Sequence, residues 1–324
     1  MNYKNFGKLK ITSVVMGTDC FGAEMEPGIC EKLLDLYVEQ GGNTIDTARS
    51  YSIWSGDFTQ GQSERVIGKW LKDKKIREKL VISTKCAHPA STKRMDIHRL
   101  SEKDIFEDVE GSLKDLGTDY IDILWLHRDS QNVPVSEIME TLNKLVKQGK
   151  VLNVGASNWT AKRIKEANEY AIKNNLTPFC GSQIKWALCK TASDINIVQD
   201  VIEMTKEEYE FYKESKLPVF AFASQAKGYM YKMAKGGTDA LSPKAKERYH
   251  CEENQKRFEK VMEYCNKTGV SLEQATLSPL VSNPYFDTSA IVGCKNESQL
   301  LSSISGADAK IDYDFFEKLM FEEL

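Results

Sequence analysis

The stretch "ICEKLLDLYVEQGGNTID", residues 29–46, changes its hydrophobic period partway along. Ile29, Leu33, Leu36 and Tyr37 recur at the spacing of one helix face, and the pair Gly41–Gly42 stops that helix. After the glycines, "NTID" at 43–46 is a short apolar run that ends on a carboxylate, Asp46, five residues before Tyr51. A helix that leads directly into a short buried strand is the repeating unit of a parallel α/β fold.

The same switch recurs along the chain. Apolar runs stand at "SVVMG" (13–17), "NTID" (43–46), "LVISTK" (80–85), "YIDILWLH" (120–127), "VLNVGAS" (151–157), "FCGSQIK" (179–185), "PVFAFAS" (218–224) and "SAIVGC" (289–294), eight in all. Amphipathic stretches separate them, and Ser101 with Asp104 and Ser271 with Gln274 have the form of capping boxes opening helices. No low-complexity segment, linker or charge block divides the chain. Eight strand–helix units in 324 residues predict a closed (β/α)8 TIM barrel forming a single domain over 1–324, rather than an open doubly wound sheet.

Composition narrows the function classes. A hydrophobic content of 41% with 28% charged residues is that of a globular protein, and a net charge of -3 provides no basic field for nucleic acid or an anionic membrane. The eight cysteines are scattered, with no CxxC pair and no metal-site spacing with the four histidines, so reduced thiols and no metal are expected. The N-terminal stretch lacks the apolar core of a signal peptide and no window reaches membrane-span length, which predicts a cytoplasmic location without a membrane partner.

In a parallel barrel every strand ends on one face, where barrel active sites lie. Asp46 ends the second run, Lys85 the third and His127 the fourth; Ser157 and Asn158 close and follow the fifth, and Gln183 lies near the end of the sixth. An acid, a lysine, a histidine and a tyrosine therefore converge on one predicted rim. Tyrosine, with an ordinary pKa of about 10, needs such neighbours to serve as an acid at neutral pH.

At these positions the chain resembles the aldo-keto reductase family over almost its full length, through "NTIDTARSYS", "VISTK", "DLGTDYIDILWLHRDS", "LVKQGKVLNVGASNW", "SQIKWAL" and "AIVGCKNESQL" in order. The resemblance implies NAD(P)H-dependent reduction of an aldehyde or ketone, with Tyr51, Asp46, Lys85 and His127 as the catalytic tetrad and Tyr51 as general acid. Protonated Lys85 is expected to lower the Tyr51 pKa, Asp46 to balance Lys85, and His127 to hydrogen-bond near the carbonyl.

The resemblance also implies a cofactor set. Ser157, Asn158 and Gln183 would meet the nicotinamide carboxamide, Gly17, Thr18 and Asp19 the adjoining ribose, and Phe222 the nicotinamide ring. The family's usual aromatic-Ser-Pro-Leu is replaced here by "FASQ" at 222–225, which includes Ser224. In "GCKNESQL", Lys295 would bind the 2'-phosphate of NADPH and Gln299 the adenosine end; NADH is the second candidate.

Trp54, His88 and Arg128 flank the predicted site and point to a polar, sugar-like carbonyl substrate. Arg128 and Asp129 have two readings, substrate contact or a salt bridge that locks their loop. Two other functions compete: a Schiff-base lyase with Lys85 as nucleophile, which needs a desolvated neutral amine, and a non-catalytic cofactor-holding partner of another protein.

Overall fold

The computed structural model describes residues 1–53, 59–89, 95–192 and 201–322. It opens with an antiparallel hairpin, β1 (Tyr3–Phe6) and β2 (Leu9–Thr12), joined through Gly7 at φ 60°. Eight parallel strands then follow: β3 (Val14–Gly17), β4 (Thr44–Asp46), β5 (Val81–Cys86), β6 (Ile121–Leu126), β7 (Val151–Ser157), β8 (Ser182–Lys185), β9 (Val219–Phe222) and β10 (Thr288–Val292). Each pairs with the next, and β10 pairs with β3, so the barrel closes. All eight apolar runs read from the sequence are barrel strands.

The helices are α1 (Pro27–Glu39), α2 (Gln62–Lys74), α3 (Glu102–Leu116), α4 (Val135–Lys147), α5 (Ala161–Lys173), α6 (Lys206–Ser215), α7 (Tyr229–Gly236), α8 (Pro243–Tyr249), α9 (Glu252–Thr268), α10 (Leu272–Val281), α11 (Glu297–Gly306) and α12 (Tyr313–Phe321). Helices α1 to α6, α10 and α11 ring the barrel, with α11 against α1. Ser271 and Gln274 form a reciprocal capping box on α10, while Ser101 caps α3 by accepting from the Asp104 amide.

On α1 the buried stripe is Cys30, Leu33, Leu34 and Tyr37, and Ile29 is exposed, which corrects the expected face by about one position. Tyr37 fixes that face: its hydroxyl lies 2.7 Å from the Val14 carbonyl and 2.9 Å from the Thr44 carbonyl, tying α1 to β3 and β4. A side chain at Gly42 would begin 2.4 Å from the Tyr37 ring, so the turn that ends α1 must pass over this ring as glycine.

The hairpin, which the sequence reading did not anticipate, lies against the barrel's interior residues. Phe6 is fully buried, with its ring 5.6 Å from Trp125 and 5.0 Å from Phe220. Gly181 makes room for it, because an added Cβ there would meet the Phe6 ring at 2.1 Å. The barrel interior beside the hairpin is thereby filled with aromatic side chains.

Candidate active site

The strand register places the polar groups at neighbouring heights. Gly17 on β3 stands opposite Asp46, Asp46 opposite Ser83, and Ser157 on β7 opposite Gln183 on β8. Lys85 lies two residues beyond Ser83 on β5, and side chains at that spacing share a strand face. His127 follows β6 directly, and its amide donates to the Cys86 carbonyl at 2.8 Å.

Asp46 is fully buried and all its acceptor capacity is in use. Oδ2 accepts from Lys85 Nζ at 2.6 Å and from the Tyr51 hydroxyl at 3.3 Å; Oδ1 accepts from Ser83 Oγ at 2.7 Å and Gln183 Nε2 at 2.9 Å. Lys85 Nζ spends its three donors on Asp46, on the Thr47 carbonyl at 2.8 Å and on the Tyr51 phenol oxygen at 2.7 Å. The result is a continuous hydrogen-bonded path from a buried carboxylate through an ammonium to a phenol. Ser83 and the Thr47 carbonyl belong to this cluster without having been singled out; the period-2 spacing of Ser83 and Lys85 was the available signal.

The electrostatics correct one expectation. Lys85 does not bring the Tyr51 pKa down: burial pushes it well above its ordinary value, and the nearby carboxylates of Asp46 and Asp19 add to the rise. The phenol is therefore held protonated at rest. Burial draws the Lys85 pKa down, and contact with Asp46 opposes that. His127 is driven well below the ordinary histidine value by burial, with His88, Arg128 and Lys85 contributing, so it is neutral. Its Nδ1 lies 3.2 Å from Ser50 Oγ, another partner not foreseen from sequence.

His88 packs edge-to-face on His127, with ring centroids 4.8 Å apart, while Tyr51 and His127 are 6.2 Å apart. Burial takes the His88 pKa down to about 4. Arg128 is buried, donates to the His127 carbonyl at 2.9 Å, and its charge acts on Tyr51, Lys85, His88 and His127. Asp129 pairs with Arg163 at 3.2 Å, so this acid locks the loop after β6. Trp54 lies outside the described residues.

The positions expected to meet a dinucleotide divide into two groups. Ser157 and Phe222 close β7 and β9, Gln183 on β8 donates to Asp46, and Asp19 is exposed yet near enough to act on both Tyr51 and Lys85. Others are occupied within the fold. Thr18 is fully buried and bonds the Asp46 carbonyl at 3.0 Å and Ser63 at 2.8 Å; a Cβ on Gly17 would meet Ile291 at 2.7 Å, so close strand packing demands that glycine. Asn158, at φ 58°, donates to the His127 carbonyl and to Ser157 Oγ and accepts from the Ile202 amide.

Further out, Ser224 donates to the Ile291 carbonyl at 2.7 Å. Gln299 accepts from the Lys295 amide at 2.9 Å, and its own amide is capped by Asn296. The Lys295 ammonium reaches back to Glu24 at 3.4 Å. Among the described residues no group of three or more His, Cys, Asp or Glu is placed to hold a metal ion, and no helix is long and apolar enough to cross a membrane.

A further buried acid is Glu64 on α2. It accepts from Thr84 at 2.6 Å and pairs with Arg49 at 3.3 Å, and Arg49 is also paired with Asp115. The Arg49 amide donates to the Lys85 carbonyl at 3.1 Å, so this network joins β5 to the segment that carries Ser50 and Tyr51.

A model of the aldo/keto reductase family matches residues 13–320. The chain is 29% identical over 329 residues to norsolorinic acid reductase stcV of Emericella nidulans, covering 95% of this chain and 78% of that protein. It is 26% identical over 329 residues to the uncharacterized oxidoreductase YrpG of Bacillus subtilis, covering 98% and 95%. Over 181 residues it is 35% identical to the probable aryl-alcohol dehydrogenase AAD4 of Saccharomyces cerevisiae, covering 54% of this chain and 52% of that one.

Proposed function

Because the chain belongs to the aldo/keto reductase family, we propose that it reduces a small aldehyde or ketone to the alcohol with NADPH, NADH being the second candidate, and that Tyr51 is the proton donor. The observation that carries this reading is the Asp46–Lys85–Tyr51 path, with contacts of 2.6 and 2.7 Å, beside a neutral His127.

A reduced nicotinamide supplies the hydride. Every other task falls to side chains. The substrate carbonyl oxygen lies between Tyr51 and His127, whose donors meet the negative charge that develops there. The Tyr51 O–H bond then breaks and the proton passes to the substrate oxygen. An alkoxide is a stronger base than a phenolate, so a phenol whose pKa is held high still gives up its proton once the carbonyl carbon has been reduced. The phenolate left behind faces the Lys85 ammonium, and Asp46 holds that ammonium in place. Ser157, Gln183, Asp19 and Phe222 are the residues that would hold the nicotinamide half; Gln183 has its Oε1 available as an acceptor while Nε2 stays on Asp46. Lys295 would meet a 2'-phosphate.

The same cluster weighs against the competing functions. A Schiff-base nucleophile must be a neutral amine, whereas Lys85 sits on a carboxylate and uses all three donors. A purely cofactor-holding role leaves the assembled acid, lysine, phenol and imidazole without purpose. The names of the relatives make aromatic aldehydes a first choice of substrate, with sugar-like carbonyls suggested by His88 and Arg128. Eight unpaired cysteines fit a reducing compartment such as the cytoplasm.

The test is consumption of NADPH and of NADH, followed at their absorbance, across a panel of aromatic, aliphatic and hydroxylated aldehydes and ketones. Stoichiometric alcohol formation is expected. A purified chain that binds dinucleotide yet reduces none of them would overturn the reading in favour of a partner role.

A further inference from the structure

His88 holds a neutral imidazole with a fixed tautomer beside the proposed reaction centre. Its Nδ1 lies 2.9 Å from the Pro89 carbonyl oxygen. A carbonyl can only accept, so the ring proton must sit on Nδ1, and in a neutral ring Nε2 is then left as an acceptor. Burial keeps the ring neutral at physiological pH, with its pKa down at about 4 and the Arg128 charge acting in the same direction. The ring is partly exposed and stands edge-to-face against His127 at 4.8 Å.

Two imidazoles with opposite duties therefore adjoin. His127 must present a donor to the oxygen being reduced, while His88 offers a lone pair. A plain aldehyde or ketone has nothing to give that lone pair, and neither does an ether. A hydroxyl on the carbon next to the carbonyl does, because its oxygen lies beside the carbonyl oxygen just as the His88 ring lies beside that of His127.

We infer that His88 is a specificity-determining residue that accepts a hydrogen bond from a substrate hydroxyl, and that the chain favours α-hydroxy carbonyl compounds over the corresponding ethers. This rests on the reductase reading and refines it by naming the substrate class.

The experiment compares kcat/KM for hydroxyacetone and methoxyacetone, two ketones that differ in whether the oxygen carries a proton, in the parent, in His88→Phe and in His88→Gln. The parent should prefer the hydroxy ketone by about 3- to 10-fold, the scale of one neutral hydrogen bond. The ratio should fall to near one in His88→Phe and persist in His88→Gln, whose side-chain oxygen still accepts. Long-range proton–nitrogen correlation spectra of the parent should show the His88 proton on Nδ1; a proton on Nε2 overturns the inference whatever the variants do. A parent that reduces other carbonyls but shows no hydroxy preference, or a His88→Phe variant that keeps it, removes the His88 role and leaves the reductase reading standing. Failure of the parent with every carbonyl removes both.

Discussion

The Lys85 ammonium sits 2.7 Å from the Tyr51 phenol oxygen, yet the phenol remains harder to ionise than a tyrosine in water. Burial and two carboxylates outweigh one lysine in the resting protein. In the proposed mechanism the lysine would receive charge that appears only as the proton leaves, which would separate its effect on the transition state from any effect on the ground state.

Tyr51→Phe removes the proposed proton donor and leaves a ring of nearly the same shape. Turnover should fall by about 10²- to 10⁴-fold, the usual contribution of a positioned acid, while dinucleotide affinity changes little. Steady-state kinetics with a reactive aromatic aldehyde, paired with a fluorescence titration of the dinucleotide, measures both. Turnover within a fewfold of the parent would take Tyr51 out of the mechanism.

His127 links the site to stability. Its folded-state pKa is depressed well below that of an unfolded histidine, about 6.5, so the unfolded chain binds the proton more readily. Its contribution is therefore intact above pH 6.5 and is lost as pH falls below that value towards the folded pKa. Between pH 7.5 and 5 the parent should lose about 2 kcal/mol more than His127→Asn, which carries no titrating ring. Urea unfolding at the two pH values gives the difference; equal losses would mean that His127 is not held neutral.

Much of this arrangement could be read before the fold was known, because it depends on strand ends. Asp46, Lys85, His127 and Ser157 close or follow apolar runs and Gln183 lies near the end of one, and a parallel barrel has a single rim for all of them. What escaped the reading depends on distance in space. Gln183 reaches Asp46 across 137 positions, Ser50 finds His127 across 77, and Glu64 meets Thr84 from an outer helix. No local pattern encodes such pairings. The hairpin escaped for a different reason: its strands are four residues each, too short for their alternation to stand out. The sign of the Tyr51 shift was misjudged because proximity of a cation is visible in a motif and desolvation is not.

The hairpin makes its own prediction. Phe6→Ala should cost about 3 to 5 kcal/mol by leaving a cavity among Trp125, Phe220 and Ile11. Gly181→Ala should cost about 1 to 3 kcal/mol, since the new methyl starts 2.1 Å from the Phe6 ring. The double variant should cost clearly less than the two together, because removing the ring gives the methyl its space, although the Pro218 carbonyl remains 2.9 Å away. Denaturant midpoints of all four proteins complete the cycle. Strict additivity would mean that the ring and the glycine do not meet.

In the proposed reading, cofactor choice would turn on the Glu24–Lys295 pair. The lysine proposed to read a 2'-phosphate already faces a carboxylate at 3.4 Å, with both side chains largely exposed. A phosphate carries more charge than a carboxylate and can displace it, but only against the repulsion of Glu24, which stays tethered nearby. Two substitutions should therefore act in opposite directions. Lys295→Ala should weaken NADPH by about tenfold and leave NADH nearly unchanged, since NADH carries no 2'-phosphate. Glu24→Gln should strengthen NADPH by a fewfold at most, the scale of an exposed ion pair, and again leave NADH alone. Added salt should reduce both effects, because an exposed contact is screened. Tryptophan fluorescence titrations of both dinucleotides in the parent and the two variants provide the comparison. If Lys295→Ala weakens both cofactors equally, the lysine serves to hold the loop before α11, where its amide is already bonded to Gln299. If Glu24→Gln leaves NADPH unmoved while Lys295→Ala weakens it, the phosphate approaches Lys295 from the side away from Glu24, and the two charges do not compete.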